Sequence, residues 1–311
     1  MARIVVLGAA GFLGSHLCDF LIDRGDTVVG VDDLSSGSLM NINHLQDQSR
    51  FTFLTNDICV DIPVQGHFDA LLNFASPASP PRYLQRPLHT LRTGSIGTER
   101  ALEMASTANA RFIMASTSEV YGDPTEHPQI ETYNGNVNPI GPRSCYDEAK
   151  RYSEALCMAY MRSQNTNIGI ARIFNTYGPR LDPTDGRVVS NFITQALAGN
   201  DITIYGTGQQ TRSFCFVSDL VRGIVALLDS SEQGPINIGN PIENTMLELA
   251  TTIVELCHSS SQLVFEDLPE DDPTRRKPDI TKAKHSLGWQ PTISLKDGLT
   301  TTINWFSQSS N

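Results

Sequence analysis

Three side chains able to handle protons arrive together in "STSEVYGDP", residues 116–124: the hydroxyls of Thr117 and Ser118 and the carboxylate of Glu119. They follow an apolar run, "RFIMA", that predicts a buried strand. The carboxyl end of a strand in an α/β protein is where ligands sit. Further on, "SCYDEAKRYSEALCMAYMRS" has helical spacing and carries Tyr146 and Lys150 four residues apart, on one helix face. An ammonium beside a phenol favours the phenolate, so the pair predicts a base tuned below the ordinary value of ~10. Such a base can take a substrate hydroxyl proton as hydride leaves the same carbon, with Thr117 sharing that proton. A lone Y-x-x-x-K occurs on many solvent-facing helices. Its weight here comes from a nucleotide turn upstream.

That turn lies in "ARIVVLGAAGFLGSHLCDFLIDRGDTVVGVDDL", which predicts strand, glycine turn, helix and strand. Ile4, Val5 and Val6 suit a parallel strand buried on both faces, and Leu13, Leu17, Phe20 and Leu21 recur at helical spacing. Gly8, Gly11 and Gly14 permit a tight turn and bring backbone N–H groups to a pyrophosphate at the positive end of the helix. Phe12 and Leu13 belong to the same turn. Asp32 ends the next strand at about the ~20-residue spacing of a ribose-binding acid. A carboxylate accepts from ribose hydroxyls and repels the 2′-phosphate of NADP; Asp33 adds to the repulsion and no Arg stands beside them. NAD is the expected cofactor. "FTFLTNDI" predicts a strand ending at Asp57, which with Ile58 is placed to flank an adenine, and "FDALLNFASP" predicts another strand.

These elements imply an α/β fold of Rossmann type, a doubly wound parallel sheet with a smaller α/β substrate-binding lobe. Strand–helix alternation breaks up beyond about residue 175. We therefore expect residues 1–175 to hold the dinucleotide, with a segment at about 213–240 returning to that domain, and 176–311 to form mainly the substrate lobe. The 311 residues carry a net charge of -11, which argues against nucleic acid as a partner. No apolar run approaches a membrane span, and the glycine-rich "MARIVVLGAAG" is too short in its apolar part for a signal peptide. Cys18, Cys59, Cys145, Cys157, Cys215 and Cys257 are scattered with no C-x-x-C pair, which predicts reduced thiols in a cytoplasmic protein and no metal site. Leu295, Leu299, Ile303 and Phe306 form one apolar stripe of a carboxy-terminal helix, the pattern of core packing.

Residues 8–14, Asp32, "STSEVYG" and the Y-x-x-x-K pair are similar to the extended short-chain dehydrogenase/reductases that act on nucleotide sugars. Within that group the chain resembles the UDP-glucuronate decarboxylases in "NFASPASPPRYLQRP", "NVNPIGPRSCYDEAKR", "ARIFNTYGPR", "DGRVVSNFITQAL", "YGTGQQTRSFCFVSDLVRG" and "DDPTRRKPDITKAKHSLGWQP". Asn73, Asn134 and Ala149 depart from the pattern, which commonly has His, an aromatic residue and Gly there. The resemblance implies that Ser35, Ser36, Gly37, Phe74, Ala75, Ser76, Thr93, Ala115 and Arg187 join the NAD site. It implies a substrate site for UDP-glucuronate made by Tyr83, Glu119, Asn175, Asn191, Tyr205, Gln210, Arg212 and Arg276, with Tyr205 stacked on uracil. Tyr146, Lys150, Thr117, Ser118, Glu119 and Arg276 would form the catalytic set. A homodimer would pair helices near 88–105 and 146–162.

Oxidising C4 of a hexuronate gives a β-keto acid, and loss of CO₂ then leaves charge that delocalises onto the C4 oxygen. Thr117 and Tyr146 would stabilise it where it develops. Related dehydratases, as the resemblance implies, carry an Asp-Glu pair at this strand end; Ser118 replaces the proton donor that loss of water needs. An oxidative decarboxylase releasing NADH and a ketopentose, and a 4-epimerase, use the same Tyr146 and Lys150 and stand as alternatives. A dinucleotide-binding redox sensor would have no use for that pair.

Overall fold

The computed structural model describes residues 1–267 and 275–309. The chain opens with β1 (Arg3–Leu7), α1 (Phe12–Arg24), β2 (Thr27–Asp32), β3 (Phe51–Thr55) and β4 (Ala70–Asn73). Three helices follow, α2 (Pro80–Gln85), α3 (Pro87–Arg92) and α4 (Thr98–Thr107), and then β5 (Arg111–Thr117), α5 (Ser144–Gln164) and β6 (Ile168–Ile173). The later part comprises β7 (Thr176–Tyr177), α6 (Val188–Ala198), β8 (Ile202–Tyr205), β9 (Thr211–Ser213), β10 (Cys215–Phe216), α7 (Val217–Asp229) and β11 (Gly234–Ile238). It ends with β12 (Glu243–Thr245), α8 (Met246–Cys257), β13 (Leu263–Glu266), β14 (Arg275–Arg276), α9 (Thr281–Leu287) and α10 (Leu295–Ser309).

Seven strands pair side by side, all parallel, in the order β3-β2-β1-β4-β5-β6-β11. Crossover helices cover both faces of such a sheet, so its strands need apolar side chains on both sides. Ile4, Val5, Val6 and Leu7 of β1 and every residue of β5 are accordingly buried. Leu17 and Leu21 of α1, Leu220 and Ile224 of α7 and Trp289 close one face. Ala101 and Leu102 of α4 with Cys157 and Tyr160 of α5 close the other. Chain direction across the sheet reverses between β1 and β4, which opens a crevice at their carboxyl ends. β11 returns to the far edge beside β6.

A separate core joins α6, α8 and α10 through Phe192, Ile193, Leu249, Ile253, Leu299, Ile303 and Phe306. Short strands attach around it: β8 pairs with β13, and β9 lies between β12 and β14. β3 stops at Thr55, two residues earlier than the sequence predicts. The Asn56 N–H bonds the Asp32 carbonyl, while Asp57 turns its carboxylate onto the Cys59 N–H at 2.8 Å. A local side-chain bond thus competes with the ladder.

Candidate active site

A cleft of about 990 Å³ runs along the carboxyl ends of the sheet and under the second lobe. Thr117, Ser118, Glu119, Tyr146, Lys150, Arg143 and Arg276 lie in its wall. β5 delivers the first group: its last residue, Thr117, accepts the Glu119 N–H at 3.2 Å and so caps the single 3₁₀ turn Ser118–Tyr121. α5 delivers the second, its 3.6-residue period turning Tyr146 and Lys150 toward β5. Lys150 donates through Nζ to the Ala115 carbonyl at 2.9 Å, and Ser116 Oγ donates to Glu154 at 2.6 Å, locking helix to strand. The Tyr146 phenol is hydrogen-bonded to the Thr117 hydroxyl. Its ring stacks on that of Tyr83, centroids 5.0 Å apart and planes 6° from parallel.

The electrostatics differ from the sequence expectation for Lys150. Its ammonium is 5.8 Å from the Tyr146 ring centre and spends a donor on Ala115, while burial alone lowers its pKa to about 8. The Tyr146 phenol is raised above its ordinary value, first by burial and then by Glu119; the Thr117 bond and the Arg187 charge pull against that rise without reversing it. Protonated tyrosine is thus the resting form in this structure. Glu119 behaves oppositely. Burial works to raise it, yet Arg276 and Arg143 outweigh burial and hold it below the usual carboxylate range. Arg143 donates from Nη2 to Oε2 at 2.6 Å, and Arg276 donates from Nη1 to Oε1.

Arg143 and Asp147 are the residues sequence reading missed. The signal was present in "GPRSCYDEAK", where a cation and an acid flank Tyr146 within one helical turn. Asp147 lies buried, its pKa pushed up to about 7 by burial and by Glu119, with Arg143 and Arg276 opposing.

The glycine turn fits a dinucleotide. Gly8 has φ +79, and a Cβ there would stand 2.6 Å from the Phe74 carbonyl oxygen; one on Gly14 would stand 1.9 Å from the Gly8 oxygen. α1 begins behind Gly11 with no side-chain cap, so its first N–H groups face the cleft that Gly8, Gly11, Phe12, Leu13 and Gly14 line. Asp32 accepts the Ala10 N–H at 2.9 Å and the Leu34 N–H at 2.8 Å, which leaves each oxygen a further lone pair for a ribose hydroxyl. Burial raises its pKa while those backbone bonds lower it. Asp32, Asp33, Ser35, Asp57, Ile58, Ala75 and Thr93 line a smaller adjoining hollow, which Ser36, Phe74 and Ser76 share with the main cleft. Gly37 lines neither; a Cβ there would meet the Asp32 carboxylate at 2.9 Å. Ala115 and Arg187 lie in the main cleft, and Arg187 is paired with Asp185.

At the other end, Asn175, Asn191, Tyr205, Gln210 and Arg212 line the same cleft. Gln210 donates to the Tyr205 carbonyl at 2.6 Å, and Tyr205 is 43% exposed. Tyr83 is buried on the near wall. Of the stretch "DDPTRRKPDI", residues 271–274 lie outside the described residues.

Residues 4–239 match the NAD dependent epimerase/dehydratase family. The chain belongs to that family, and its cofactor is NAD. It is similar to UDP-glucuronic acid decarboxylase 1 of Xenopus tropicalis, 49% identical over 98% of this chain and 72% of the relative. It is likewise similar to UDP-glucuronic acid decarboxylase 2 of Arabidopsis thaliana, 51% identical over 98% of this chain and 68% of the relative. Among solved structures it resembles the UDP-glucuronic acid 4-epimerase of Bacillus cereus in complex with UDP-glucuronic acid and NAD. That pair has 30% identity and a TM-score of 0.88, covering 99% of each chain.

Proposed function

We infer that the protein is a carboxy-lyase that converts UDP-glucuronate to UDP-xylose and CO₂ with NAD as a retained cofactor. One observation carries this reading beyond the family: Glu119 held as an anion between two guanidiniums, beside Ser118. A carboxylate stabilised in this way is a weak base for a C5 proton, and serine is a poor acid for a leaving hydroxyl. Loss of water from the sugar needs both. Loss of CO₂ needs neither.

When bound, NAD accepts the C4 hydride and later returns it, and its oxidised ring carries a positive charge. Tyr146, as the phenolate that a positive ring beside it would favour, takes the C4 hydroxyl proton, Thr117 hydrogen-bonds the same oxygen, and Lys150 keeps Tyr146 and β5 in register through Ala115. CO₂ departure from C5 leaves an enolate whose oxygen stays on the Thr117 and Tyr146 hydroxyls. A proton from solvent adds at C5 to give the 4-ketopentose, and after reduction at C4 Tyr146 hands its own proton back to the C4 oxygen. Glu119 supplies a fixed negative charge at the sugar ring, and Arg276 positions it. Tyr205, Asn175, Asn191, Gln210 and Arg212 hold the nucleotide diphosphate end, and Tyr83 packs beside the sugar.

Domains 1–175 and about 213–240 hold the dinucleotide, and 176–311 mainly the sugar nucleotide. A homodimer through α3, α4 and α5 is supported by Leu88, Leu91, Ile96 and Tyr152, apolar or aromatic side chains exposed there. A cytoplasmic location is supported by six cysteines that are all free. No described helix is long and apolar enough to cross a membrane.

The test is incubation of purified protein with UDP-glucuronate and catalytic NAD⁺, following CO₂, NADH absorbance and the sugar product. CO₂ and UDP-xylose without NADH accumulation is the expected result. Stoichiometric NADH with a ketopentose would assign the oxidative reaction instead, and absence of CO₂ would reject decarboxylation.

A further inference from the structure

We propose that Arg143 is the residue that grips the carboxylate of the hexuronate, an assignment that rests on the decarboxylase reading of this cleft. The resemblance to the decarboxylases puts Arg276 in the substrate site. Arg276 is only 4% exposed, and its two terminal nitrogens donate to protein: Nη1 to Glu119 and Nη2 to the Gly122 carbonyl at 3.1 Å. It is spoken for. Arg143 makes one side-chain hydrogen bond among the described residues, from Nη2 to Glu119, and its side chain remains 23% exposed in the cleft wall. That bond leaves the other donors of its five-donor fork without a partner among the described residues, and Arg143 lines the cleft.

A second observation points to the same place. The Tyr83 hydroxyl is buried and has no hydrogen-bond partner, although Tyr83 lines the cleft and lies within electrostatic reach of Arg143 and Glu119. A buried hydroxyl left unpaired costs free energy that a ligand oxygen would remove. Because the Tyr83 ring stacks on Tyr146, an oxygen held by Tyr83 and Arg143 stands one ring-stack from the phenol that serves C4. C5, which bears the carboxylate, is the next carbon. The Arg143–Glu119–Arg276 clasp also has two positive charges against one negative, and a substrate carboxylate balances it. Asp147 is buried and does not line the cleft, so it does not occupy that position.

The experiment compares UDP-glucuronate with UDP-xylose, which lacks the carboxylate, by calorimetric titration of NAD-loaded protein. A Tyr146→Phe background prevents turnover. Adding Arg143→Ala should weaken UDP-glucuronate roughly 10- to 100-fold, the worth of a charged hydrogen bond, and leave UDP-xylose within about twofold. Arg143→Gln, which keeps a donor for Glu119 but loses the charge, should show the same selective loss and serves if the alanine variant does not fold. Arg276→Ala should weaken both ligands alike. Equal weakening by the Arg143 variants, no weakening, or selective loss from Arg276→Ala would each overturn the assignment. If wild-type protein releases no CO₂, the decarboxylase reading fails; if it releases CO₂ while the selectivity of the Arg143 variants is unmoved, only the role of Arg143 fails.

Discussion

At Tyr146 the phenol meets opposed influences: burial and Glu119 hold its proton on, while the Thr117 bond and the Arg187 charge draw it off. Tyr146→Phe removes the proton acceptor and leaves the stack on Tyr83. We expect turnover to fall about 10³-fold with NAD affinity unchanged, measured by single-turnover CO₂ release and by cofactor titration. Asp147 makes a different prediction. Its folded pKa of about 7 exceeds the ordinary 3.8, so the folded state binds the proton more tightly than the unfolded chain. Stability therefore falls as pH rises from about 4 to 7. Asp147→Asn should match wild type below that window and exceed it by about 4 kcal/mol above it, read from denaturant melts across pH. Tyr146, Lys150 and Thr117 were legible because a spacing of four and a strand end place them without reference to distant chain. The Arg143–Glu119 bond was not legible, since its partners are 24 residues apart and meet only when the loop before α5 folds back on β5.

Among the elements, the β1–α1–β2 unit was the most legible, because continuous β-branched runs and helical spacing dictate it locally. Its tightest point is Gly14, where the helix passes over the Gly8 carbonyl. Gly14→Ala should lower NAD affinity by more than about 100-fold and lower the melting temperature, because a methyl group cannot share that space and the turn must open. Gly199, with nothing within 4 Å of a built Cβ, has no such crowding. The second lobe was poorly legible for a physical reason. β9 and β14 are three and two residues long, and Arg212 of one lies opposite Arg276 of the other, a pairing no local period announces. Register there comes from tertiary contacts, such as the Lys277 N–H on the Gln129 side chain at 2.8 Å.

For the molecule as a whole, the apolar side chains left exposed along α3 and the turn into α4 carry the dimer prediction. Leu88 is 68% exposed at that surface. Leu88→Asp should convert a dimer to monomers in sedimentation equilibrium while the fold, followed by circular dichroism, persists; dimers of unchanged affinity would remove this face from the assembly. The two cores explain why the sheet could be foreseen and the cleft's roof could not: α6, α8 and α10 meet around Phe192, Leu249 and Phe306, residues widely separated along the chain.

Arg276 reaches Glu119 across 157 residues of sequence. A nascent polypeptide emerging from the ribosome can therefore complete the strands nearest its start well before the guanidinium that restrains Glu119 has been synthesised. Fragments released before that point would lack the closing contact, so competence for chemistry waits on the synthesis of residue 276.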